Sequence, residues 1–277
     1  MSEIENVYIR TLLKSIKMFR ILLVLFFINI SFAQQIDKVD FIKCDALVAP
    51  NHSEKSISGT VTYEFKVKKA IDTIKIDAIN MEFSEVLING KSVKFKNSGK
   101  TLDLFEGYKK GKNKLTFNYS AKPKQTLYFT GQDENLQIWT QGQGRYTSHW
   151  LPSFDDVNEK VIFNVSVEFR NDFPVNSNGD FISNKYNSKG NLITWNYQMQ
   201  KPMSSYLAML AIGSFAKQTT TTKSGTLLEF YLDKNDVSKF EPTYRYSKEM
   251  FDYLEKEIGV KYPWGIYRQV PVRDFLY

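Results

Sequence analysis

The chain has 277 residues, of which 42% are hydrophobic and 24% charged, with 37 basic against 30 acidic side chains. That balance suits a globular chain able to bury a sizeable core and excludes a disordered one. The formal charge of +7 is spread as single lysines on alternating positions, not gathered into a basic stripe with stacking aromatics, which argues against nucleic acid as a partner.

Residues 1–33 hold Arg10, Lys14, Lys17 and Arg20 against Glu3 and Glu5, so the remainder carries +5. Met18-Phe19-Arg20, the apolar run from Ile21 to Ile30 and the small-x-small end Ser31-Phe32-Ala33 read as a secretory signal peptide, 1–33, cleaved after Ala33. Residues 1–17 do not suit such a leader, so translation is expected to start at Met18. The apolar run is shorter than the roughly 20 residues needed to span a bilayer. The expectation is an exported protein, periplasmic, cell-surface or extracellular, without stable membrane insertion. Cys44 is the one cysteine; no intrachain disulfide can form, and a small buried hydrophobe is expected there.

From residue 35 onward strand follows strand. In Ser56–Lys69, Ile57, Val61, Tyr63, Phe65 and Val67 alternate with Thr60, Thr62, Glu64, Lys66 and Lys68, a core face and a water face. Further strands are predicted at Thr73–Ala78, Glu85–Ile88, Val93–Lys96, Thr101–Phe105, Lys114–Tyr119, Thr126–Thr130, Gln137–Thr140, Val161–Phe169, Leu192–Gln198, Tyr206–Phe215 and Leu227–Leu232. Asn89-Gly90 is a tight hairpin signal. The texture changes at Asp236, where Phe240, Tyr244, Phe251, Leu254 and Ile258 take helical spacing, with Asp236 as the cap and Gly259 as the stop. The strand-like Tyr267–Val272 follows, and the end at Tyr277 reads as an interruption within a second domain. The fold class is therefore mainly β, an antiparallel sandwich or saddle over 34–235, with a new α+β element beginning at 236–277.

His52 and His149 are far apart, and no H-E-x-x-H, no zinc-ligand spacing, no Gly-x-Ser-x-Gly elbow and no phosphate-binding loop is present. The unusual stretch is Thr140-Gln141-Gly142-Gln143-Gly144-Arg145, directly after a strand. Two glycines let the backbone turn closely while two amides offer donors and acceptors, the make-up of a polar recognition loop. The same amides equally suit the turn's own backbone groups. Trp150-Leu151-Pro152-Ser153-Phe154-Asp155 reads as structural, its aromatics packing the loop on the sheet and Asp155 capping a turn.

Thr140-Gln141-Gly142-Gln143 and Trp150-Leu151-Pro152-Ser153-Phe154-Asp155 resemble the Thr-Gln-x-(Glu/Gln) loop and the Trp-x-Pro-x-Phe-Asp segment of the aminopeptidase N family of zinc exopeptidases. Asn158–Val165, Tyr206–Phe215 and Tyr262–Tyr277 resemble that family in the same order, so the likeness runs from about residue 40 to the end. The resemblance implies that 34–235 is the family's β-saddle and that 236–277 opens a thermolysin-like catalytic domain, left before the Gly-x-Met-Glu-Asn and H-E-x-x-H motifs. It implies peptide substrates with a free N-terminus, zinc in the whole enzyme with no ligand in this chain, and no catalytic residue here, so the 277-residue chain alone is expected to be inactive. It also implies that Gln143 holds the substrate's α-amine, Gln141 lining the same pocket. The departure is Gly144–His149, where many members have an acidic or Ala-rich stretch. A non-catalytic β-sandwich scaffold of a secreted protein is the alternative.

Overall fold

The computed structural model describes residues 35–187 and 191–275; the expected signal peptide lies outside the described residues. The chain divides into two compact units, Met1–Asp37 and Lys38–Tyr277. Of the first, the described part is the 3-10 turn Gln35–Asp37.

In the second unit the strands are, in chain order, β1 (Val39–Asn51), β2 (Ser56–Val67), β3 (Ile74–Asp77), β4 (Met81–Ile88), β5 (Lys91–Ser92), β6 (Phe95–Asn97), β7 (Thr101–Leu104), β8 (Gly111–Ala121), β9 (Leu127–Thr130), β10 (Gln137–Thr140), β11 (Lys160–Arg170), β12 (Val175–Ser177), β13 (Asp180–Tyr186), β14 (Leu192–Gln198), β15 (Met203–Ser204), β16 (Leu210–Gly213), β17 (Phe215–Thr221), β18 (Leu227–Asp233) and β19 (Ile266–Gln269). Among the described residues they form a large sheet in the order β13-β14-β11-β1-β2-β8-β4-β5, with β15 beside β11, and three smaller sheets, β12-β16-β10-β9, β3-β7-β6 and β17-β18-β19. Pairing between these strands is antiparallel except for β1 with β11 and β18 with β19. The mainly β expectation holds, with several antiparallel sheets.

Alternation builds the core. On β2, Ile57, Val61, Tyr63, Phe65 and Val67 are all buried, as their spacing required. β1 shows what alternation alone misses: Val39 and Phe41 are buried, but the next buried residue is Cys44, because the register with β2 shifts between Phe41 and Lys43. The extra residue flips parity, so Cys44 takes a core position and burial pushes its thiol up to about 12. Gly59 faces β1 so closely that a Cβ would stand 2.4 Å from the Leu47 carbonyl oxygen. One cluster joins buried side chains from the large sheet to Ile74, Ile76, Leu102 and Leu104 of the β3-β7 pair and to Leu127, Ile138, Leu210 and Ile212 of the β9-β10-β16 sheet. The small sheets therefore share one core with the large one. A separate, smaller core joins Leu228, Phe230 and Leu232 to Phe240.

Asn89 and Gly90 have φ of 53° and 80°, as the hairpin signal demanded, but the returning strand is Lys91–Ser92 rather than Val93–Lys96. The single strand expected over Tyr206–Phe215 is a 3-10 turn, Ser205–Leu207, then β16 and the first residue of β17. The helical segment also differs from its expectation. The capping side chain is Asp233, which accepts from the Asn235 N–H, and Asp236 sits at a kink with non-helical torsions. Helices Phe240–Tyr244 and Ser247–Ile258 follow, and Gly259 ends the second with φ 73°. Leu254 and Ile258, expected on a core stripe, are exposed; the small core beneath needs only Phe240, Tyr244 and Phe251.

At the start of β11 the Glu159 side chain is buried, 4% exposed. Its Oε1 accepts from the Phe41 N–H at 3.2 Å, an amide that points where the β1–β11 ladder has not yet begun, while Oε2 has no partner among the described residues. Burial pushes this carboxyl up to about 7. A raised folded value means that the folded chain binds the proton more tightly, so its contribution to stability is full below about pH 4.5 and is lost as pH rises through 7. Urea unfolding between pH 4.5 and 8 is expected to show stability declining over that window, and Glu159→Gln to remove that part of the decline.

The braced polar turn after β10

β10 delivers the chain to the polar loop from within the β12-β16-β10-β9 sheet. Its last residue, Thr140, is locked to β16: Oγ1 accepts from the Leu210 N–H at 2.8 Å. The next amide, Gln141 N–H, donates to the Thr126 carbonyl at 2.8 Å, and Gln141 is half-buried. Gly142 is buried, and a Cβ there would stand 2.4 Å from Thr147 Oγ1 and 2.5 Å from the Tyr206 carbonyl oxygen. Only glycine allows so close an approach.

The chain then reverses over Gln143–Tyr146. Gly144 and Arg145 have φ of 88° and 86°, and the Tyr146 N–H donates to the Gly142 carbonyl at 3.2 Å. Arg145 holds a left-handed conformation that costs a side-chain-bearing residue, so the surroundings impose it. Gln143 is exposed at this reversal, and its side chain makes no hydrogen bond among the described residues.

Behind the turn the 3-10 segment Thr147–His149 packs inward, with Thr147 and Ser148 buried. Thr147 Oγ1 donates to the Ser205 carbonyl at 3.0 Å, and the Trp150 and Leu151 amides both donate to the Thr147 carbonyl. His149 is half-buried, with its ring edge-on to Tyr146 and burial lowering its pKa. Trp150–Phe154 is buried and without regular structure, apart from a bridge between Ser153 and Asp77. Long-range donors satisfy it: Tyr119 Oη to the Trp150 carbonyl at 2.8 Å and Tyr63 Oη to the Pro152 carbonyl at 2.6 Å. Phe154 packs on Phe41 at 4.2 Å and on Tyr63 at 5.4 Å between ring centroids. The structural reading of Trp150–Phe154 therefore holds, but Asp155 caps no turn: its Oδ2 accepts from Ser148 Oγ, and Asp156 accepts the Asn158 N–H instead. Asp77, Ser148 and Ser205, which complete the brace, carried no local signal; Asp77 is 78 residues from the Asp155 amide it accepts.

The last described residues come back to the same strand. The Arg273 N–H donates to Gln137 Oε1 at 2.9 Å, its guanidinium bonds the Asn135 carbonyl and Asp233, and Phe275 stacks on Trp139 at 5.5 Å. The residues that resembled the approach to a catalytic motif thus lie beside the strand that leads into Gln141. Among the described residues no group of three or more His, Cys, Asp or Glu side chains is placed to hold a metal ion, so the residues present do not fit zinc. A groove of about 1100 Å³ is lined by residues such as His52, Glu82, Lys122 and Glu168 and includes none of 137–155.

Residues 43–207 match the Peptidase M1 N-terminal domain, and the chain belongs to that family. It is 26% identical over 219 residues to Probable aminopeptidase 1 of Sulfurisphaera tokodaii, covering 76% of this chain and 27% of that protein. It is 23% identical over 246 residues to Puromycin-sensitive aminopeptidase of Caenorhabditis elegans, covering 82% and 26% respectively. Against Glutamyl aminopeptidase of Sus scrofa the identity is 27% over 126 residues, 45% of this chain and 13% of that one. The chain spans about a quarter of the length of the first two relatives.

Gly142→Ala is expected to destabilise the chain by about 1–3 kcal/mol, since the methyl group must displace backbone or Thr147. Urea unfolding of the variant against wild type measures it.

Proposed function

We propose that this chain is the N-terminal part of an exported zinc-dependent aminopeptidase, in which it supplies scaffold and recognition of the substrate's free α-amine through Gln143, with Gln141 lining the same pocket. In this reading residues 34–235 form the saddle and 236–277 open the peptidase domain. The leader Met18–Ala33 directs export to the periplasm, cell surface or medium, and the 277-residue chain alone is inactive because neither zinc ligands nor a general base are assigned to it. Zinc bound elsewhere in the whole protein would supply a Lewis acid and an activated water; Gln143 accepts a hydrogen bond from an ammonium group and supplies no full charge, a weaker grip than a carboxylate would give.

The supporting observation is the exposed Gln143 side chain on a turn whose base is locked on both sides. A side chain that binds a ligand is of most use when its backbone is already in place, because ordering it on binding costs affinity. Reading the gene downstream of the Tyr277 codon tests identity: in-frame Gly-x-Met-Glu-Asn and H-E-x-x-H are expected, and a stop codon or an unrelated continuation would overturn the aminopeptidase reading. In the full-length product, Gln143→Ala is expected to raise KM for N-terminally free peptides by about tenfold, the loss of one hydrogen bond to a charged group, with Gln143→Glu lowering it. An unchanged KM in both variants removes the assignment.

A further inference from the structure

Below the polar turn two aspartates are joined through one carboxyl group and one backbone amide. Asp77, at the end of β3, accepts the Asp155 N–H on Oδ2 at 2.8 Å, and its own backbone pairs in both directions with Ser153 at 2.9 Å. Asp155 Oδ2 in turn accepts from Ser148 Oγ at 3.1 Å. Ser148 is fully buried, and its carbonyl accepts from the Ile79 N–H, two residues after Asp77. A closed path therefore runs from β3 through Asp155 to Ser148 and on to the turn that carries Gln143.

We propose that Asp155 is a positioning residue for the Gln143 turn: held by Asp77 and bonded to Ser148, it ties the 3-10 segment Thr147–His149 to β3 and so sets where the turn presents its amide. The inference rests on the reading of Gln143 as the ligand-facing residue only for its functional consequence; the positioning itself concerns this chain alone. Asp155 touches no substrate in this account and acts through Ser148.

The electrostatics support the geometry. Burial pushes Asp155 up to about 6, with the Asp77 charge adding to the rise and Ser148 and Arg145 opposing it. Asp77 is also raised, chiefly by burial and further by the Asp156 charge, against the Asp155 amide and Lys75. The Asp77 charge thus disfavours ionisation of Asp155. The closed turn binds the proton more tightly than an open one would, so closure is strongest at low pH and weakens as pH rises through about 6.

Hydrogen exchange of the full chain, read by mass spectrometry and corrected for intrinsic exchange, tests this. The amides of Tyr146, His149, Trp150 and Leu151, bonded within the turn and its brace, are expected to lose protection as pH rises from 5 to 8. Asp155→Ala and Ser148→Ala are expected to lower their protection by about tenfold while the β1–β2 amides keep theirs, the cost of one hydrogen bond. Asp155→Asn, which keeps an acceptor for Ser148 without the charge, is expected to restore protection and flatten the pH profile. Unchanged turn protection in Asp155→Ala and Ser148→Ala, equal losses in the β1–β2 amides, or an Asn variant no better than Ala would each overturn the proposal. Because no substrate enters the measurement, positioning can stand while Gln143 variants leave KM unchanged, and amine recognition alone then falls.

Discussion

A buried stretch without helix or ladder, Trp150–Phe154, is the constraint on which the rest depends. A peptide group removed from water and left unpaired costs about 1–3 kcal/mol, and this stretch cannot satisfy itself. Each of its backbone N–H groups has a partner: Trp150 and Leu151 on the Thr147 carbonyl, Ser153 on Asp77, and Phe154 on Ser205 Oγ at 3.2 Å. Tyr63 on β2 and Tyr119 on β8 cover two of its carbonyls from the core. The partners come from the large sheet, from β3 and from the turn before β16. One irregular segment thereby joins two sheets and the turn before β16, and the polar turn at its head inherits that anchoring.

A second set of contacts brings the later chain to the same place. Arg268 on β19 is 8% exposed at its side chain and pairs with Glu229 on β18, while also donating to the Ser177 and Gly179 carbonyls. A buried pair gives little net stability, yet breaking it costs several kcal/mol because a charge is stranded. Its effect is positional: β19 is held between β18 and the β12–β13 turn, and Arg273 then ties the following residues to Gln137 and Asp233. Phe275 lands on Trp139 as a result.

The legible parts of the fold were those with local causes. Alternation marked the core of β2, because a strand with one dry face writes its period into the sequence; Asn89-Gly90 marked a hairpin, because both positions need positive φ; Gly259 marked a helix stop. The misses have physical causes too. The β1 parity change at Ile42 depends on a bulge opposite Phe65 and Glu64. The helix cap moved to Asp233 because a 3-10 segment precedes the helices, and Leu254 and Ile258 obey helical spacing without being buried among the described residues. At the site, Gln141 and Gln143 stood out through two neighbouring glycines, but the brace did not, since Asp77 and Ser205 reach it across 78 and 51 residues.

The central claim is that a rigid turn presents Gln143 to a free α-amine. A crystal structure of the full-length product with a peptide analogue bearing a free α-amine tests it most directly. The account predicts the ligand nitrogen within about 3 Å of Gln143 Oε1, with Gly142, Thr147 and Trp150 unmoved from their present contacts. An amine bound away from Gln143, or a turn rebuilt around the ligand, would contradict it.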